Sequence, residues 1–78
     1  MKPKEIGATV RAIRSELGMT TTVLGQKIGV SQAQISRLEN GYQGFRSETL
    51  GKMAVALKVP VFRFMMTAKE WERWKRLK

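Results

Sequence analysis

Gln32, Ala33, Ser36 and Arg37 lie close together in the run SQAQISRLENG. If that run is helical, they share one face while Ile35 and Leu38 occupy the other. Their chemistry is hydrogen bonding rather than bond making. A glutamine amide both donates and accepts, as the edge of adenine requires. A guanidinium suits the two acceptors of guanine, and an alanine methyl can touch that of thymine. Ser36 adds a hydroxyl. The chain contains no His, Cys or Asp, so the commonest acid–base and nucleophile arrangements are missing. Disulfides and the usual zinc sites are excluded with them. The expectation is a protein that binds rather than catalyses, with no metal, no cofactor and no evident small-molecule ligand.

The elements that must hold this face are legible on either side of it. Thr20 is a good N-cap, with Leu24 and Ile28 following at helical spacing. Gly29 stands where a helix must end in a left-handed residue. Ser31 opens the next helix, and Gln34 completes a capping box with it. Asn40-Gly41 ends that helix, and Gly25 lies where a side chain would hold the two helices apart. Residues 20–40 are thus a helix-turn-helix by their mechanics.

The charge agrees with a polyanionic partner. Fifteen Lys and Arg against six acidic residues give +9 in 78 residues, a balance that points to nucleic acid. A membrane-surface binder or a merely soluble basic domain is the competing reading. The chain is long enough for one domain, and no apolar run approaches the ~20 residues that span a bilayer. With no signal-peptide core at its start, it is expected to be cytoplasmic and away from membranes.

The same residues carry a resemblance. Ile6-Gly7, Val10-Arg11, Ile13-Arg14 and Gly18-Met19-Thr20, followed by LGQKIGVSQAQISRLENG from Leu24 to Gly41, resemble the Cro/CI-type helix-turn-helix regulators. The likeness covers residues 6 to 66, and ISRLENG is its most specific part. Gly25 and Thr21 depart from the family, which usually has Ala and often has Gln there. The resemblance implies an all-α, lambda-repressor-like domain of five helices, here with a sixth at the C-terminus. It implies that Gln32 and Ala33 open the recognition helix, so that Gln32, Ala33, Ser36 and Arg37 meet bases. It also pairs Arg14 with Glu39 as a structural ion pair. Phosphate contacts are expected from Thr21, Thr22, Lys27, Ser31, Asn40, Tyr42, Gln43 and Arg46. The implied partner is double-stranded DNA, bound by a homodimeric repressor on a two-fold symmetric operator. An antitoxin that blocks a toxin and binds its own promoter is the alternative. So is an activator touching RNA polymerase through an acidic or helix 2 surface.

In chain order, residues 1–5 read as a basic arm carrying Lys2 and Lys4, and residues 6–66 as the domain. Helix 1 is expected over about 5 to 17, with Ile6, Val10, Ile13 and Leu17 facing inward. Tyr42 to Arg46 is a loop in which Phe45 anchors to the core. Ser47 caps helix 4, whose inward stripe is Leu50, Met53, Ala54 and Leu57. Val61 to Met66 is a fifth helical segment, more apolar than one short helix can bury. Phe64 is assigned to the core and Phe62 and Met66 to a dimer interface. Thr67 to Glu70 is a capping box opening a last helix over 67–78. Trp71 and Trp74 give it a narrow apolar stripe, ending at Leu77 or Lys78. That stripe can fold back on its own chain, pack across a two-fold axis, or lie on a membrane or another protein.

Overall fold

The computed structural model describes residues 2–77, so Met1 of the basic arm and Lys78 of the last helix lie outside the described residues. Five α-helices and one 3-10 turn follow one another, with no strand among the described residues. They are α1 (Pro3–Glu16), α2 (Thr21–Ile28), α3 (Gln32–Glu39), α4 (Ser47–Leu57), the 3-10 turn Val61–Met65, and α5 (Ala68–Arg76). None of these helices is long and apolar enough to cross a membrane.

Helix α1 starts earlier than the pattern predicts. Pro3 occupies its first turn, where the missing N–H would have no partner anyway and the fixed φ already suits a helix. Lys4 therefore belongs to α1, and of the expected arm only Lys2 precedes the helix among the described residues. At the other end Gly18 takes φ +66°, and its N–H and that of Met19 close on Ser15 and Arg14 carbonyls. That turn swings Leu17 outward, leaving it 50% exposed instead of facing the core.

The core draws on every element except α5. Ile6, Val10 and Ile13 meet Leu24 and Ile28, Ile35 and Leu38, then Leu50, Met53, Ala54 and Leu57, with Phe64 fully buried beneath them. Each fully buried aliphatic or aromatic side chain contributes about 1.5–3 kcal/mol. Phe45 packs against this cluster from its loop. Helix α4 begins on Ser47, with Arg46 as its N-cap and no side-chain cap bond. The expected serine cap is therefore absent.

The segment after Pro60 is a 3-10 turn, not an α-helix. Pro60 before it and Met66 after it are both extended, which leaves only a short run, the length at which 3-10 geometry is used. Phe64 and Arg63 turn inward, and Val61, Phe62 and Met65 remain exposed. The C-terminal helix is accordingly the fifth α-helix rather than a sixth. Its Thr67–Glu70 capping box is complete: Glu70 N–H donates to the Thr67 hydroxyl at 3.1 Å, and Thr67 N–H donates to the Glu70 carboxylate at 2.8 Å.

Candidate nucleic-acid interface

Helix α3 is held by its ends. The Ser31 hydroxyl accepts the Gln34 N–H at 3.1 Å, but the Gln34 side chain makes no return bond, so only half of the expected capping box forms. At the other end Gly41 takes φ +78°. The N–H groups of Gly41 and Tyr42 bond back to the Leu38 and Arg37 carbonyls, closing a Schellman motif. Ile35 and Leu38 are buried, while Gln32, Ala33 and Arg37 are exposed and Ser36 is half-buried. One polar face of α3 is thereby presented outward.

Helix α2 supports it from behind. The Thr20 hydroxyl accepts the Val23 N–H at 3.1 Å, and Gly29 ends the helix at φ +80°. A Cβ on Gly25 would lie 2.6 Å from the Val30 carbonyl oxygen, so glycine is what lets the turn between α2 and α3 close against the helix. Thr21, half-buried, and Thr22, exposed, occupy the first turn of α2. Their N–H groups, like those opening α3, have no partner within the helix, and both termini carry partial positive charge.

The loop after α3 adds polar side chains. Tyr42 is 82% exposed, and a polar pocket of about 190 Å³ is lined by Gln34, Leu38, Gln43, Gly44, Arg46 and Thr49. Ser31 keeps its hydroxyl hydrogen for an outside acceptor. Asn40 is more committed than expected: its amide donates to the Ser36 carbonyl at 2.8 Å and accepts from Arg11 at 2.8 Å. One amide hydrogen remains. Lys27, the other cation expected to contact phosphate, lines a groove with Lys52, Val55, Ala56 and Lys58 between α2 and α4.

A cluster of charge joins α1 to the end of α3. Arg14 donates to both carboxylate oxygens of Glu39, at 2.7 and 3.1 Å, and also to the Met19 carbonyl at 2.8 Å. The hydrogen bond to Glu39 raises the Arg14 pKa; burial opposes this, and the Glu39 charge adds to the rise. Arg11 reaches the same carboxylate at 3.4 Å. Nothing in the linear pattern separates Arg11 from an ordinary exposed helix cation. Its role appears only when α1 and α3 cross.

The C-terminal aromatic residues meet their own chain. Trp74 packs edge-on to Phe62 at 5.0 Å, Trp71 stacks on Trp74 at 5.2 Å, and the Arg63 guanidinium lies 5.2 Å from the Trp71 ring centre. Arg63 is buried. Burial lowers its pKa, with the charges of Glu16 and Glu72 pulling the other way. Met66 is half-covered, as are both Trp residues, so α5 clips onto the 3-10 turn without being buried by it.

Comparison with known proteins gives one consistent result. A helix-turn-helix family profile matches residues 10–64. The chain is 43% identical over 58 residues to the HTH-type transcriptional repressor RghR of Bacillus subtilis (strain 168), covering 73% of this chain and 43% of RghR. It spans less than half the length of the curated relatives it matches. Among solved structures, the clp gene regulator ClgR from Corynebacterium glutamicum superimposes with a TM-score of 0.83 at 26% identity, covering 99% of this chain and 82% of that one. The P22 c2 repressor, solved with a synthetic operator, gives 0.71 at 29% identity, covering 76% of this chain and 89% of its own.

Proposed function

The chain belongs to the helix-turn-helix family of transcriptional regulators, and from that premise we propose that it is a homodimeric repressor reading a two-fold symmetric operator. The carrying observation is the outward set Gln32, Ala33, Ser36 and Arg37 on a helix whose opposite face is buried. Gln32 pairs with an adenine edge, Arg37 with the acceptors of guanine, and Ala33 rests against a thymine methyl, with Ser36 in a secondary role. The P22 c2 repressor was solved on a synthetic operator, and its likeness to this chain supports the same approach to DNA.

The phosphate backbone is gripped by Thr21 and Thr22 with the amides opening α2, by the Ser31 hydroxyl, by the remaining Asn40 hydrogen, and by Tyr42, Gln43 and Arg46. Such contacts set register without reading sequence. One domain covers too few base pairs for selectivity, so two copies join, with half-sites about one helical turn apart. The exposed apolar residues Val61, Phe62 and Met65, with Met66, Trp71 and Trp74 beside them, supply the surface that a second copy covers. Selection of bound sequences from a random duplex library tests the reading directly. The expected product is an inverted repeat with an A·T pair and a guanine in each half-site. Recovery of unsymmetrical or unrelated sequences would overturn it.

A further inference from the structure

The groove between α2 and α4 is formed by Lys27, Lys52, Val55, Ala56 and Lys58, with a volume of about 410 Å³. Val55 is 80% exposed in the middle of an otherwise inward-looking apolar stretch, and Lys27, Lys52 and Lys58 line the groove with it. Lys52 is drawn toward Glu48 at 3.4 Å, but both side chains are more than half exposed, so solvent and a competing carboxylate can displace that pair. Helix α2 carries no carboxylate at all in TTVLGQKI. A partner that docks on this side meets a basic, not an acidic, surface.

We propose that this groove binds an acidic peptide segment of another protein, anchored by one apolar side chain on Val55 and Ala56. Charge complementarity selects the occupant. Lys27 on one wall and Lys52 and Lys58 on the other are placed for carboxylates on either side of the anchor, and an ammonium acts there as a compact point charge. The volume lies within the range of small binding clefts and accommodates a few side chains, not a folded domain. The groove shares no residue with the recognition face of α3 or with the polar pocket beside Arg46. Val55 lies eight residues beyond Ser47, about 12 Å along the helix axis from the end of α4 that follows the loop. On this proposal an acidic segment occupies the groove while α3 holds DNA, and so modulates the regulator without displacing it.

The test is fluorescence anisotropy of a labelled peptide of roughly twelve residues, Glu and Asp around central Leu residues, titrated with the full chain. The expected result is saturable binding that persists when double-stranded DNA saturates the protein. Val55→Ser, Lys27→Glu and Lys58→Gly should each weaken it about tenfold, and a peptide with Ser in place of Leu should bind no better than to those variants. Loss of the peptide on adding DNA would show that these lysines belong to the DNA-binding surface and overturn the proposal. Equal binding of the Leu-free peptide, indifference to Val55→Ser, or no saturation would overturn it as well. Because the peptide is read without DNA in the first arm, the outcome is separate from that of the operator selection.

Discussion

Arg14 grips Glu39 through two hydrogen bonds across 25 residues of sequence, and Glu39 is almost wholly removed from solvent. The pair fixes the end of α1 to the end of α3, and so fixes the angle at which the outward face of α3 is held. A planar guanidinium can satisfy both carboxylate oxygens at once and still reach the Met19 carbonyl; an ammonium cannot.

Removing Arg14 leaves the buried carboxylate with only the longer Arg11 contact at 3.4 Å. Arg14→Ala is expected to lose about 3 kcal/mol of stability, the scale for breaking a buried pair on one side. Arg14→Lys should recover only part of this. Thermal unfolding monitored by circular dichroism checks both. A variant that melts like the parent yet no longer binds DNA would make Arg14 a DNA contact instead.

Gly7 is where α1 crosses the end of α3. A Cβ there would sit 2.6 Å from the Glu39 carbonyl oxygen and nearer still to that of Leu38. Both are backbone atoms at a capped helix end and have nowhere to retreat. Gly7→Ala gains about 1 kcal/mol in helix propensity yet should lose about 2 kcal/mol net through forced separation of the helices. At about 4–8 °C per kcal/mol for a domain of this size, the melting temperature should drop by about 10 °C. A rise in melting temperature would show that α1 shifts at little cost.

Lys58 ends α4 in the left-handed region at φ +59°, a conformation taken elsewhere only by glycines among the described residues. A side chain there costs about 1 kcal/mol. Lys58→Gly is expected to stabilise the fold by about 0.5–1 kcal/mol, after allowing for the greater freedom of the unfolded chain. Denaturant unfolding with an unchanged m-value is the measurement.

Arg37 and Arg46 should separate base reading from phosphate gripping. Arg37→Ala is expected to weaken operator binding by about 1–3 kcal/mol and relax one position of the selected site. Arg46→Ala should weaken all sequences alike and flatten the log–log salt dependence by about 1. Identical selection profiles for parent and Arg37→Ala would remove Arg37 from the recognition set.

The Phe62–Trp74 contact leaves both rings partly open to a second subunit. Phe62→Glu should shift the protein toward monomer in sedimentation while leaving its helical content intact, and weaken operator binding more than binding of a single half-site. A dimer undisturbed by this change would put the two-fold interface elsewhere.

The five α-helices, most of their caps and the outward face of α3 were legible in the sequence because they depend on neighbours three or four residues away. Thr20, Gly29, Ser31, Gly41 and the Thr67–Glu70 box each act within one turn, and the spacing of Ile35 and Leu38 decides which side of α3 is left outside. What the tertiary structure decided depends on crossings between distant segments. Leu17 has the spacing of a core residue but is turned out by Gly18. Arg63, to which the local pattern assigns no place, is buried with its guanidinium 5.2 Å from the Trp71 ring centre. Gly7 and Arg11 gain their roles only because α1 meets the end of α3, 28 residues away in the case of Arg11 and Glu39. Local spacing determines what each helix can present, whereas the packing of the core determines which of those side chains meet.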